Sequence, residues 1–523
     1  MTAWEAPPTA TDIVRRFARE RGNEAALIFQ GETTTYGELD RRSSQIANAL
    51  MEEGAAPRTR IGFLSLNCPA YFEVLFGVLK AGSVLVPLNY RLAPNELKIV
   101  MADAVLEILF VHAQFLPLIE PALESLPHLH TIVVLGDDGG ERPTYEHWRE
   151  ASPAVDPMLN ATADDEALQI YSSGTTGVPK GVVLTHGNVL AGIASALAEN
   201  HAQYGPGGRL LVCNPLFHVA GTIMSFYALG QGATICLLDR ADPALILETI
   251  ETERAGYALL VPTVLRMIVQ TPGIETRDMT SIRHILYGAS PMTEDLLAAA
   301  RQLFGSGVQF SQAYGMTEST GNGTVLRPED HDPARGKLRS VGRAAAGSEV
   351  RIVDPDGAVV PSRTVGEIEI KSGTVTKGYW RKPEANKETL HDGWLRTGDA
   401  GYMDEEGYVY LHDRMKNMII SGGENIYPAE VENALSGHPA IADVAIVGIP
   451  SERWGEEPRA FVVLRPGTEL SLEDLMAFVR QKLAGYKVPK SMEIVDALPK
   501  NPAGKTLHRE LRKPFWEGKG RSI

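Results

Sequence analysis

The stretch Tyr171-Ser172-Ser173-Gly174-Thr175-Thr176-Gly177-Val178-Pro179-Lys180-Gly181 carries the residue types that hold phosphate. Its glycines let backbone N–H groups converge on an anion, the Ser and Thr hydroxyls add hydrogen bonds, and Lys180 supplies a positive charge. It is not a Walker A loop, because Pro179 stands before Lys180 and Gly181 after it, where Gly-Lys-Ser/Thr is required. A flexible linker is the commoner meaning of a Gly/Ser/Thr cluster, but the embedded Pro-Lys-Gly is too structured for one.

Two further segments could do chemistry with phosphate and sugar. Tyr314-Gly315-Met316-Thr317-Glu318 offers a hydroxyl and a carboxylate after an apolar run. A carboxylate repels phosphates unless a divalent cation lies between, so Glu318 reads as a Mg²⁺ ligand, against the plainer alternative of a helix cap. Trp394-Leu395-Arg396-Thr397-Gly398-Asp399 puts an aspartate after a glycine, where its oxygens can accept from a diol or simply close a turn.

The elements that must position these residues follow from apolar periodicity. Ala167–Tyr171 reads as a strand before the loop and Asn188–Ile193 as the start of a helix after it, so the loop is expected between strand and helix. Upstream, Thr35-Tyr36-Gly37-Glu38 has the form of a capping box for a helix running to about Met51. Strand, helix and strand then follow at Arg60–Leu64, Ala70–Lys80 and Ser83–Pro87, with Gly82 as the helix stop. The alternation continues through Ile108–Val111, Thr131–Leu135, Leu210–Val212, Ala233–Leu238, Tyr257–Val261 and Ile285–Tyr287. It predicts an α/β fold whose large N-terminal domain is built on parallel sheets with helical crossovers. Around Glu349–Ile352 and Val365–Ile370 the helices vanish, which predicts a small β-rich subdomain. Beyond Asp413-Arg414 a separate α+β pattern begins, so the boundary is placed at Arg414–Lys416, dividing the chain into residues 1–415 and 416–523.

With 523 residues, 44% hydrophobic and 22% charged, the chain has the composition of an ordinary multidomain globular protein. Its formal charge of -15 speaks against nucleic acid as a partner, so any nucleotide must be held by a local site. Cys68, Cys213 and Cys236 have neither metal nor disulfide spacing, which fits a reducing cytoplasm. The first residues lack the basic start and apolar core of a signal peptide, and no run reaches the ~20 apolar residues of a membrane span. Peripheral membrane contact and a homodimer are both compatible with this composition.

Taken in order, Ser173-Gly174-Thr175-Thr176-Gly177-x-Pro179-Lys180-Gly181, Tyr314-Gly315-x-Thr317-Glu318, Thr397-Gly398-Asp399, Asp413-Arg414 with Gly422-Gly423-Glu424-Asn425-Ile426-Tyr427-Pro428, and Asn501-Pro502-x-Gly504-Lys505 resemble the adenylate-forming superfamily of acyl-CoA synthetases, adenylation domains and beetle luciferases. The resemblance spans Thr35 to Lys505. It implies an acid–thiol ligase that uses ATP, Mg²⁺ and CoA. A carboxylate attacks the α-phosphorus to give an acyl-adenylate and pyrophosphate, and a thiol then displaces AMP.

By resemblance, Ser172, Ser173, Gly174, Thr175, Thr176, Gly177 and Lys180 handle the β- and γ-phosphates, and Thr317 and Glu318 meet the α-phosphate and Mg²⁺. Gly288-Ala289-Ser290 with Tyr314 and Gly315 form the adenine slot, and Asp399 and Arg414 take the ribose. Lys505 bridges the carboxylate and α-phosphate in the first step. Lys416 is the hinge about which a mobile C-terminal domain turns, and Gly422-Gly423 line the CoA channel.

His218, at the end of Asn214-Pro215-Leu216-Phe217-His218, lies by the same resemblance near the substrate carboxylate, although a lone His after apolar residues is often a satisfied core histidine. His218, Val219, Thr222, Gly288, Gly315 and Met316 are expected around the acyl group. No acid follows Phe217 to pair with an amine, so an amino-acid substrate is disfavoured, and the small or apolar segments favour a hydrophobic acid. The run from Asp413 to Glu430 looks most like bacterial medium- and long-chain fatty-acyl-CoA synthetases. Alternatives are an aromatic-acid CoA ligase and an enzyme that loads a separate carrier protein. A nucleotide-binding scaffold without chemistry fits less well, since Lys505, Glu318 and Asp399 are all present, as does an oxidative luciferase-like enzyme.

Overall fold

Fully apolar strands need cover on both faces, and the chain meets that need with two large sheets flanked by helices. The computed structural model describes residues 6–136, 140, 142–172, 179–199, 203–290, 292–414, 417–421, 424–451, 454–483, 485–500 and 505–517. By internal contacts the chain falls into two units, Met1–Val350 with Ile370–Leu395, and Arg351–Glu369 with Arg396–Ile523.

In the first unit, six strands run parallel in the spatial order Gln309–Tyr314, His284–Gly288, Tyr257–Leu259, Arg209–Val212, Thr234–Leu237 and Ala25–Phe29. Antiparallel strands close the edges, Glu32–Thr35 at one and Thr324–Leu326 with Arg343–Ala344 at the other. The second sheet joins Thr131–Leu135, Ile108–His112, Arg60–Leu64, Val84–Pro87 and Glu166–Ser172 in parallel, then Lys180–Thr185 and Gly378–Tyr379 antiparallel.

The helices between them form where capping and periodicity require. Thr35 Oγ1 accepts from the Glu38 backbone N–H while the Glu38 carboxylate accepts from the Thr35 N–H, and the helix Tyr36–Glu52 follows. It packs on Ala70–Lys80, where a Cβ at Gly77 would lie 2.5 Å from the Ile46 side chain. The fully buried Lys80 ammonium is satisfied by Asp40, Ser44 and Asp156. Against the upward push of burial, Arg15 and Lys80 hold the Asp156 carboxyl down at about 2.

A five-stranded sheet orders Ser348–Val353, Gly366–Ser372, Trp394–Met403 and Leu390–His391, with Val409–Arg414 paired to Trp394–Met403. This is the β-rich element expected from the shortened spacing. In the second unit, Glu424–Ile426, Ile419–Ser421, Gly455–Leu464 and Ile441–Ser451 form another sheet, with Ser491–Ile494 parallel to Gly455–Leu464. Val431 and Leu435 of helix Pro428–Ser436 and Leu475 and Val479 of helix Leu472–Arg480 share its core. Among the described residues no helix is long and apolar enough to cross a membrane.

One local expectation is corrected. The loop after Ser172 leads into a strand, with Ser172 opposite Lys180 in an antiparallel hairpin. Val182, Val183 and Leu184 are β-formers and continue as a buried strand. The helix His186–Ala198 begins only after Thr185, which caps it reciprocally with Asn188. The loop is therefore not followed by a helix N-terminus, and a helix dipole drops out of its account.

His186 opens that helix at 1% exposure, and burial pushes its imidazole down to about 4, with Asp165 acting in the opposite direction. In the unfolded chain a histidine binds its proton near 6.5. Stability from neutral His186 is thus complete above about pH 6.5 and is lost as pH falls towards 4, at up to about 1.4 kcal/mol per pH unit. Urea titrations at pH 7 and pH 5 are expected to show a smaller difference in unfolding free energy for His186→Asn than for the parent; equal differences would count against this account.

Candidate active site

Ligands in parallel α/β sheets bind beyond the carboxyl ends of the strands, and the two neighbouring strands His284–Gly288 and Gln309–Tyr314 end side by side with Gly288 opposite Ala313. Backbone approach there is too close for a side chain. A Cβ on Gly288 would lie 2.4 Å from the Ala313 carbonyl oxygen, and one on Gly315 2.4 Å from the Gly321 carbonyl carbon. Next to them Ala289 and Thr320 hold left-handed backbone, φ 64° and 55°, a strain that clusters at functional sites. The result is a slot with small walls, Gly288, Ala289 and Gly315, and Tyr314 directly before Gly315 is half-buried.

Thr317–Ser319 forms a short 3₁₀ turn, pinned by the Met316 N–H donating to Ser319 Oγ. The turn buries Glu318 to 5% exposure. Glu318 Oε1 accepts from the Tyr379 hydroxyl at 2.9 Å and the Ser172 hydroxyl at 3.3 Å, and its carbonyl accepts from the Thr376 N–H. Among the described residues no Lys, Arg or His pairs with this carboxylate. A buried carboxylate without a counter-charge is costly, and a cation supplied from outside would offset that cost. The described residues hold no cluster of three His, Cys, Asp or Glu. One carboxylate completed by phosphate and water oxygens is the manner in which Mg²⁺ is held.

Tyr379 reaches Glu318 because Gly378–Tyr379 pairs with Lys180–Thr185, Tyr379 opposite Val182. Lys180 Nζ lies 4.7 Å from the centre of the Tyr379 ring, and the hairpin end brings Ser172 and Tyr379 to one carboxylate. Reading the sequence missed Tyr379. The signal that could have found it is an aromatic pair, Tyr379-Trp380, directly after Gly378 in a polar stretch.

A cavity of about 110 Å³ adjoins the slot. Val219, Ala220, Ile223, Met224 and Tyr227 of the helix Val219–Leu229 form one wall, and Gly288, Ala289, Ala313 and Gly315 another. Of the residues expected around an acyl group, Val219, Gly288 and Gly315 line it, while Met316, His218 and Thr222 do not. Thr222 is on the helix's opposite side, fully buried, its hydroxyl bonded to the Leu216 carbonyl and the Tyr71 hydroxyl. The helical period, which places 219, 220, 223, 224 and 227 on one face, turns 222 away. His218 stands at the N-cap position with its ring 4.4 Å from that of Phe217. Burial, then the charge of Arg91, pushes its imidazole down to about 4, and among the described residues its buried Nε2 lacks a hydrogen-bond partner. It is a neutral ring with one unmet bond, which a satisfied core histidine would not have.

The profile of the AMP-binding enzyme family matches residues 14–380, and that of the AMP-binding enzyme C-terminal domain matches residues 430–505. The chain belongs to the AMP-binding enzyme family. It is 39% identical to a feruloyl-CoA synthase of an Amycolatopsis species over 96% of this chain and 98% of that one. It is 37% identical to the fatty acid–[acyl-carrier-protein] ligase ScoC of Streptomyces coeruleorubidus, over 97% and 96%. The solved fatty acyl CoA synthetase of Mycobacterium tuberculosis superposes with a TM-score of 0.78 at 31% identity, covering 97% of this chain and 98% of that one. The protein is thus a ligase of the adenylate-forming, acyl- or aryl-CoA kind, whose members use ATP, Mg²⁺ and CoA.

The remaining expected residues of this AMP-binding enzyme divide in two. Ser173, Gly174, Thr175, Thr176, Gly177, Lys416, Gly422 and Gly423 lie outside the described residues. In the second unit, Asp399 and Arg414 are direct ladder partners, and the Asp399 N–H donates to Thr397 Oγ1. Lys505 is an exposed residue of the same unit. Ser290 is half-buried just beyond Ala289, and Thr317 is half-buried at the start of the Glu318 turn.

Replacing Glu318 by Gln removes the charge but keeps the acceptor for Tyr379. Glu318→Gln is expected to lower acid-dependent exchange of labelled pyrophosphate into ATP by about a hundredfold and to raise the Mg²⁺ concentration for half-maximal rate. An unchanged Mg²⁺ dependence would exclude Glu318 as the cation's ligand.

Proposed function

We propose that the protein activates a hydrophobic carboxylic acid with ATP and transfers it to CoA, releasing pyrophosphate and then AMP. The observation that carries this reading is the buried Glu318 carboxylate, bonded by the Ser172 hydroxyl and without a Lys, Arg or His partner among the described residues, together with an apolar cavity. When bound, Mg²⁺ neutralises phosphate charge as pyrophosphate departs. Glu318 holds that cation, and Ser172, Lys180 and the loop 173–177 hold the β- and γ-phosphates. Thr317 meets the α-phosphate. Gly288, Ala289, Ser290, Tyr314 and Gly315 take the adenine, and Asp399 and Arg414 the ribose. His218 Nε2 orients the carboxylate, and Lys505 offsets charge on the pentavalent phosphorus.

In this proposal residues 1–415 form the adenylation domain and 416–523 a mobile domain that turns about Lys416, replacing Lys505 by the Gly422-Gly423 channel in the second step. The enzyme acts in the cytoplasm, in keeping with its three unpaired cysteines. A medium- or long-chain fatty acid is the acid that the run Asp413 to Glu430 supports. An aromatic acid is the second reading, favoured by the small-walled slot that continues into the cavity and by the 39% identity to an enzyme named for feruloyl-CoA. ScoC supports carrier-protein loading as the alternative to CoA.

AMP release with and without CoA, measured across fatty, aromatic and short branched acids, tests the reaction. CoA-dependent AMP release with at least one class of acid is expected, and none with any acid would sink the proposal. Lys505→Ala is expected to slow adenylation by about a hundredfold or more while thioester formation from supplied acyl-adenylate falls far less. Equal losses in the two half-reactions would remove Lys505 from its assigned role.

A further inference from the structure

Most of the cavity wall is apolar, and three of its polar side chains come from three different elements. Tyr227 comes from the helix Val219–Leu229, Ser195 from the helix His186–Ala198 and Asn322 from the turn after Glu318. The Tyr227 ring lies against the backbone of the second helix at Gly192, where a Cβ would come 2.8 Å from its hydroxyl oxygen. Ser195 is one turn further along that helix, so both hydroxyls sit on one stretch of wall. Asn322 Nδ2 donates to Ser195 Oγ at 2.8 Å, which leaves the Ser195 O–H free to donate elsewhere.

The contrast with Thr320 is informative. Thr320 also lines the cavity, but its hydroxyl is spent on the Thr374 carbonyl. Among the described residues the Tyr227 hydroxyl has no hydrogen-bond partner, and Ser195 has only the bond it accepts. Both side chains are 7% exposed. Burial pushes the Tyr227 phenol well up, so it stays protonated as a donor at neutral pH. Val219, beside His218, and Tyr227 lie two helical turns apart, about 12 Å at 1.5 Å per residue. A hydrophobic acid whose carboxylate is near His218 would bring its far end to the Tyr227 stretch. A bare alkyl or phenyl terminus there would leave both hydroxyls unpaired or trap water against them.

We infer that Tyr227, Ser195 and Asn322 select an acid that bears a hydroxyl or ether oxygen on its hydrophobic body, remote from the carboxylate. The inference rests on the ligase reading and names the substrate class within it. The oxygen can be carried by an aromatic ring or by an alkyl chain, and matched pairs separate the two. The test compares cinnamic acid with its para-hydroxy derivative, and dodecanoic acid with its omega-hydroxy derivative, by acid-dependent pyrophosphate exchange in the full-length enzyme.

In at least one pair the oxygen-bearing acid is expected to have a kcat/KM about tenfold or more above its partner. Tyr227→Phe and Ser195→Ala are each expected to bring that ratio to about threefold or less, and because the readout is a ratio, a general loss of folded enzyme does not imitate it. Should Tyr227→Phe fail to fold, Ser195→Ala reads the same ratio. Equal kcat/KM within both pairs, a preference for the unsubstituted acids, or a ratio that survives both substitutions overturns the assignment and leaves the ligase reading standing. No exchange with any of the four acids also overturns it, and the broader panel of acids then decides the ligase reading separately.

Discussion

A carboxylate buried without a cation is the constraint around which the site is arranged. Glu318 keeps two hydroxyl donors, Ser172 and Tyr379, on one oxygen and no positive partner among the described residues. Desolvating such a group is tolerable only if charge arrives with the ligand. The surroundings serve that condition. A turn held by Ser319 fixes the carboxylate, the Thr376 N–H holds its backbone, and the antiparallel hairpin, in which Ser172 stands opposite Lys180, delivers the Ser172 hydroxyl.

The slot beside it depends on what is missing rather than on what is present. At Gly288 and Gly315 the backbone of one segment occupies the space a Cβ would need. Close packing there lets two strand ends and the Gly321 turn meet without intervening side chains; Ala289 takes left-handed backbone directly after its strand, and Thr320 takes it at the end of the Thr317–Ser319 turn. The cavity inherits its small-walled side from the same glycines and its long side from the face of the helix Val219–Leu229. The cavity is thus lined on one side by a helix face, and the slot beside it by loops at strand ends.

Much of this architecture is legible in the residues alone. Arg60–Leu64, Ala70–Lys80 and Thr131–Leu135 form with the limits their apolar runs predict, because a buried strand or helix bounded by Gly, Pro or a capping residue has few alternatives. The Thr35 capping box is present in both directions. The stretch after Lys180 is where local pattern misleads, suggesting a loop that runs into a helix. Its apolar residues 182–184 are too few to distinguish strand from helix by period, and the deciding factor is the free edge of Glu166–Ser172 available for pairing. Thr222 departs from its expected place for a related reason: sequence proximity to His218 does not say which face of a helix a residue occupies.

By itself the sequence determined the chemistry class, since ordered motifs of glycine, hydroxyl, lysine and carboxylate state what kind of ligand must be met, and it determined the alternation of strands and helices, since burial imposes its own period. Only the tertiary structure decided which groups share a site. Glu318 is separated from Ser172 by 146 residues and from Tyr379 by 61, and Ser195, Tyr227 and Asn322 lie on three different elements. Hydrogen-bond reach is a property of distance in space, and no local pattern of residues encodes it.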